Sequence, residues 1–183
     1  GLSAVGVAVS ATASGGALSS SFNGPWASSK VVSTNVNGEA AFLWQPPAAS
    51  GTWTVQVVAA GAGGKTFHLT TTMPALVMTT TGGQGQATQV GTVAAQPLTV
   101  QIGRGSLSMA GLPVTFTSLG GEIATSVAGP WQSSVAVPAN AQGHAAVYWK
   151  APATAGGYGV QASVTAGAGA DLATVEQGFA LQA

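Results

Sequence analysis

The sequence predicts an all-β chain made of two tandem β-sandwich units. Three observations carry this. Apolar residues alternate with period two, 27 glycines and 9 prolines punctuate short runs, and the chain matches itself at an offset of 105 residues. Period two is the signature of strands with one face on a core. No segment holds a helical pattern for three turns. The repeat means that one structural unit is used twice.

Val5, Val7, Val9 and Ala11 open the first unit as an alternating run. Ala40, Phe42 and Trp44 form another, and Trp53, Val55 and Val57 a third. Asn37-Gly38 precedes the second of these, where glycine supplies the positive φ of a tight turn. Pro46-Pro47 ends it, since proline cannot donate to a ladder. Gly61-Ala62-Gly63-Gly64 then links to a last strand at 66–71, and Thr70 to Pro74 is the expected junction. The predicted domains are residues 1–72 and 73–183.

The second unit opens at 75–80 and continues with Leu98, Val100 and Ile102, then Val114 and Phe116, and Val135 and Val137. Gln142-Gly143 turns into Ala145, Val147 and Trp149, which Ala151-Pro152 ends. Tyr158, Val160 and Ala162 precede Gly167-Ala168-Gly169-Ala170, and 176–182 closes the unit, with Phe179 matching Phe67 and Leu181 matching Leu69. Strands every 8–12 residues with turn signals suggest a two-sheet sandwich.

Residues 6–56 lie over 111–161 without a gap, with 22 of 51 positions identical. The anchors include Gly24-Pro25-Trp26 over Gly129-Pro130-Trp131, and Trp44 over Trp149. Ahead of the matched block, the second copy carries Pro74 to Arg104, whereas the first has almost nothing. The first unit is therefore expected to lack the counterparts of Leu76–Thr80 and Leu98–Ile102. Each uncovered Val or Leu forfeits roughly 1.5–3 kcal/mol of burial, so several together rival the stability of a small domain.

The second unit resembles a known family. The residues that carry this are Gly83-Gln84-Gly85-Gln86, Gln96-Pro97-Leu98-Thr99-Val100-Gln101-Ile102, Gly111-Leu112-Pro113-Val114-Thr115-Phe116, Ala155-Gly156-Gly157-Tyr158-Gly159-Val160-Gln161-Ala162 and Phe179-Ala180-Leu181. They are similar to the bacterial immunoglobulin-like repeats of invasin and intimin type. The resemblance covers 76–181 and, in the first unit, the chain from about Gly6. It implies two tandem Ig-like sandwiches, the first lacking its N-terminal strands. It also implies an extracellular stalk, adhesin or filament module with no catalytic residues to carry over. Arg104-Gly105-Ser106 departs from the family, which usually shows an acidic residue near a glycine there.

Composition narrows function further. Charged residues are 4% of the chain and the formal net charge is zero, against about 25% charged residues in ordinary globular proteins. Lys30, Lys65, Arg104 and Lys150 are scattered, so nucleic acid is not an expected partner. Glu39, Glu122, Asp171 and Glu176 are scattered too, which argues against an acidic metal cage. The 46% hydrophobic content with β-branched runs argues against disorder. An uncharged surface offers little repulsion between copies. Cysteine is absent. No apolar run reaches the roughly 18 residues of a transmembrane helix. Gly1-Leu2-Ser3 reads as a processed or excised end.

No catalytic constellation emerges, and no cofactor or metal is expected. There is no Gly-x-Ser-x-Gly elbow. His68 is expected to point outward from a strand and His144 to sit in a turn, where the first unit has Glu39. Trp44, Trp53, Trp149 and Tyr158 are expected in the cores. Trp26 and Trp131 follow Gly-Pro in a turn, where each caps the sandwich, packs on a neighbouring subunit or stacks on a sugar.

The expectation is a non-enzymatic subunit of an extracellular filament, pilus-like fibre or surface layer, with copies of itself as partners. Strands are expected to be exchanged by β-augmentation through residues 2–13. The expected interface is Leu2, Val5, Val7, Val9, Ala11, Trp26 and Trp131. The alternative is an adhesin stalk or carbohydrate-binding module at the cell surface, with a surface glycan as partner. Two further ways to fill the gap in the first unit are also open. The chain is an excerpt of a longer array, or residues 1–12 stand in for a lost strand.

Overall fold

The computed structural model describes residues 4–168 and 171–183. Leu2 and the Gly169-Ala170 part of the expected second hairpin link lie outside the described residues. The chain is all-β, with no α-helix among the described residues, and it divides into two compact units, Gly1–Met73 and Pro74–Ala183.

Unit one contains β1 (Ala8–Ala13), β2 (Ala17–Ser19), β3 (Ser29–Ser33), β4 (Leu43–Gln45), β5 (Gly51–Ala59) and β6 (Gly64–Thr71). Four of these form an antiparallel sheet in the order β3-β1-β5-β6, and β2 and β4 form a separate pair. Ala11, Ala13, Leu18 and Val55 form its small buried core, with Phe42, Trp44, Val57 and Leu69 packed on it half-buried. The alternation read from the sequence decides which side chains face inward.

Unit two contains β7 (Leu76–Gly82), β8 (Leu98–Arg104), β9 (Leu107–Ser108), β10 (Pro113–Ser118), β11 (Glu122–Ala124), β12 (Ser134–Pro138), β13 (His144–Lys150), β14 (Gly157–Ala166) and β15 (Ala173–Gln182). One sheet runs β12-β10-β14-β15, and the other β11-β13-β8-β7 with β9 beside β8. Both sheets feed one core that includes Leu98, Val100, Ile102, Phe116, Val147 and Trp149, all fully buried.

The strands of unit one take the places of β10 to β15 in order. At the 105-residue offset Val9 corresponds to Val114, and β1 lies between β3 and β5 as β10 lies between β12 and β14. Unit one has no strand in the places of β7 and β8 among the described residues. The same step also decides the N-terminal segment. Residues 8–13 are β1, an inner strand bonded to both β3 and β5. They do not stand in for a lost strand. Val9 and Ala11, expected as donors to another copy, are buried in unit one's own core. Pulling β1 out would break two ladders at once.

Two local devices repeat. Before β4 and β13, Asn35 Oδ1 accepts from the amides of Asn37 and Glu39, and Asn140 Oδ1 from those of Gln142 and His144. Gly38 and Gly143 complete these turns at φ 78° and 80°. Before β2 and β11, paired glycines lie against aromatic rings. Trp44 Nε1 donates to Gly15 O at 2.9 Å, and Trp149 Nε1 to Gly120 O at 2.8 Å. A Cβ on Gly15 would lie 2.1 Å from the Trp53 ring, and one on Gly120 would lie 2.3 Å from the Tyr158 ring. Only glycine permits that approach.

Candidate functional site

Unit one has an apolar groove of about 360 Å³ on the side where unit two carries β7 and β8. Each wall residue has a counterpart in unit two, and comparing the pairs defines the site. Trp44 is half-buried and lines the groove, whereas Trp149 is fully buried. Phe42 lines it half-buried where Val147 is fully buried, and Val57 where Ala162 is fully buried. Phe67 pairs with Val55 on β6 as Phe179 pairs with Val160 on β15. Phe67 is 54% exposed and Phe179 only 3%.

What covers these positions in unit two is plain. Val147 pairs with Leu98 and Ala145 with Val100 along the β13–β8 ladder. β7 pairs with β8 and packs along β15, the strand that carries Phe179. The connection between β7 and β8 adds a bond from Ala94 N to Trp149 O at 2.8 Å. Unit one has none of these elements among its described residues.

The backbone responds as well. β13 runs for 7 residues, but its counterpart β4 for only 3. Residues 39–42, which correspond to 144–147, belong to no strand. They lack a neighbour to pair with, so the ladder stops where β8 would have continued it. An apolar trough flanked by an unpaired strand edge is the geometry that accepts an added strand.

The residues expected at an interface are dispersed. Val5 is 58% exposed. Val7 is half-buried, its amide donating to Thr34 Oγ1 at 3.0 Å. Trp26 is 37% exposed in the connection between β2 and β3. Trp131, its counterpart, is half-buried under Lys150, whose Nζ lies 5.9 Å from the ring centroid and 3.6 Å from Glu122 Oε2. Gln45 and Ala17 occupy the matching places in unit one, so this charged cover belongs to unit two alone.

Chemistry-bearing groups do not gather. Among the described residues, no three His, Cys, Asp or Glu side chains are placed to hold a metal ion. His68 is exposed and His144 sits at the start of β13. Among the described residues, no helix is long and apolar enough to cross a membrane.

Arg104 was singled out in the sequence only as a departure from the family pattern. It is 7% exposed, and its guanidinium donates to Pro74 O, Ala166 O and Asp171 O at 3.1, 3.0 and 3.1 Å. It fastens the start of unit two to the ends of β14 and the segment before β15. The lone cation in a nearly uncharged stretch was the available signal.

No protein-family model matches the chain, and no curated protein does. Among solved structures, that of the Yersinia pseudotuberculosis adhesin InvE is similar, at a TM-score of 0.36 and 15% identity over 97% of this chain. The match spans 50% of the length of that structure.

Proposed function

We propose that the chain is a non-enzymatic structural module of a cell-surface or extracellular protein, of the adhesin-stalk kind, and that unit one is completed by a β-strand from outside the unit. One observation carries the reading. The positions that β7 and β8 bury in unit two are the ones left open in unit one, most plainly Phe67 against Phe179. Covering several such side chains is worth roughly 1.5–3 kcal/mol each. Main-chain bonds to residues 39–42 would fix the strand's position, and the trough would select its side chains. The near-absence of charge and the scatter of its titratable groups support a structural role over a catalytic one. A strand supplied by a second copy in the same groove would build a fibre, since a heterologous contact that does not close propagates.

The test supplies the strands directly. A copy of residues 74–105 is added ahead of Gly1 in the full chain, the place those residues hold relative to the matched block of unit two. The amides of residues 40 and 42, the alternate positions whose counterparts Ala145 and Val147 face β8 in hydrogen-bonded register, should gain at least about 100-fold protection from hydrogen exchange. Trp44 emission should shift to the blue. Amides at 40 and 42 that exchange as fast as before, with unchanged emission, would overturn the reading.

A further inference from the structure

The open edges of unit one differ in where charge is placed. Residues 39–42 form one such edge, and β3 and β6 are the outer strands of the four-stranded sheet. The chain has three lysines, and each outer strand holds one of them. Lys30 stands opposite Ala11, which is fully buried, and Lys65 opposite Val57, which lines the groove. Directly opposed cross-strand residues share a face, so both lysines are on the core side of their strands. Among the described residues the one ion pair is Lys150 with Glu122, so neither lysine is neutralised. At residues 39–42 the groove-lining side chains, Ala40 and Phe42, are uncharged. Glu39 accepts from Asn35 Nδ2 at 3.2 Å within its own turn.

Unit two has no charge at either place and guards each edge by other means. Val135, the counterpart of Lys30, packs on the core. Along β12, Ser118 N donates to Ser133 O at 2.8 Å and Ala139 N to Leu112 O at 2.9 Å. The alternation of an antiparallel ladder then turns the backbone of residues 134, 136 and 138 to the open side. Pro138 has no amide to present there. In β3 the bonds from Ala13 N to Ser28 O and from Thr34 N to Val7 O turn residues 29, 31 and 33 outward, and Ser33 keeps its amide. Gln177 lies opposite Ala162 as Lys65 lies opposite Val57. Its strand, β15, is covered, since Gly85 N donates to Ala180 O at 3.1 Å and Gln182 N to Gln86 O at 3.0 Å. Nothing among the described residues covers β6 in that way. Each lysine of unit one thus stands on an edge that unit two protects with a proline or a paired segment.

We propose that Lys30 and Lys65 close the edges of β3 and β6 to strand addition and so confine it to residues 39–42. A strand added beside β3 or β6 would extend the core-side face and lay its apolar side chains over an unpaired ammonium. Burying such a charge is strongly disfavoured, and an inward-pointing charge is one way in which edge strands are kept from pairing. The partner excluded is a second copy of this chain, edge to edge, against which a nearly uncharged surface offers little other barrier. The confinement to residues 39–42 rests on the reading above, whereas the closure of β3 and β6 stands without it.

The experiment follows association of the full chain by sedimentation velocity over a range of concentrations, with hydrogen exchange locating the contact. Lys30→Val and Lys30→Met, the second keeping the length of the stem, should each lower the dissociation constant for self-association at least about tenfold, since the barrier to burying the edge is gone. The amides of residues 29, 31 and 33 should then become protected as concentration rises. Lys65→Met should do the same at residues 66, 68 and 70, the positions of β6 whose backbone turns away from β5. Lys30→Glu should sediment as the parent chain does, because a carboxylate at that place is equally costly to bury. Every one of these substitutions moves the net charge away from zero, which by itself opposes association. Valine and methionine chains that both sediment like the parent overturn the closure of β3, and Lys65→Met that does so overturns that of β6. A glutamate chain that associates as the valine chain does overturns charge as the barrier. Protection that appears at residues 40 and 42 of the Lys30 variants in place of 29, 31 and 33 also overturns the inference, while leaving the groove standing. The groove is judged by residues 40 and 42 in the chain with the added copy of residues 74–105, so the two fail separately.

Discussion

Phe67 and Phe179 offer a direct measure of whether the groove is open in solution. Both are phenylalanines at the same place in their sheets, opposite Val55 and Val160. They differ in what lies over them. Phe179 is 3% exposed beneath a complete second sheet, and Phe67 is 54% exposed. Truncating a buried phenylalanine to alanine costs about 3–5 kcal/mol, because transfer and cavity terms add. Phe67→Ala leaves no enclosed cavity and forfeits about half of a full burial, roughly 1 kcal/mol. For domains near 100 residues, each kcal/mol moves the midpoint by about 4–8 °C. Phe179→Ala should therefore lower the midpoint of unit two by more than about 12 °C, and Phe67→Ala that of unit one by less than about 8 °C. Urea unfolding followed by hydrogen exchange assigns each transition to its unit. Equal losses at the two positions would mean that Phe67 is covered in solution, and the open-groove argument would fail.

Two further outcomes follow from particular contacts. Arg104→Ala should destabilise unit two by about 2–4 kcal/mol in chemical denaturation, because three carbonyls lose a charged donor in a buried place. Arg104→Lys should recover only part of that loss, since one ammonium cannot reproduce the planar fork. Gly121→Ala should cost at least about 2 kcal/mol, as its Cβ would lie 2.3 Å from Lys150 O at a φ of 81°. Gly61→Ala, at φ 77° with nothing within 4 Å, should cost about 1 kcal/mol from backbone conformation alone. Similar losses from the two would show that close packing at the paired glycines contributes nothing.

Much of the fold was legible in the sequence. Period-two alternation located the strands, and Asn37-Gly38 and Gln142-Gly143 marked real turns, although the anchoring role of Asn35 and Asn140 was not read. The pairs Gly15-Gly16 and Gly120-Gly121 also align at the repeat offset, but nothing local says that an indole will lie on them. The N-terminal segment shows the limit more sharply. Alternation makes residues 5–11 look like any spare apolar strand. The offset sets Val9 over Val114, and the pairing of β1 with both β3 and β5 puts residues 8–11 of that run in an inner strand of unit one.

By itself, the sequence determined that the chain is all-β, that one unit recurs, and that residues 1–5, ahead of the first copy's matched block, contain no match to Pro74 to Arg104. These are local or self-referential properties, because side-chain alternation and internal identity are written along the chain. Only the tertiary structure decided what that gap does. It shortens β4, leaves residues 39–42 without a ladder, and half-uncovers Trp44 and Phe67. It also turned Arg104 from an oddity into a buried fastener. Those outcomes depend on which distant segments become neighbours, and burial is a property of the neighbours rather than of the residue.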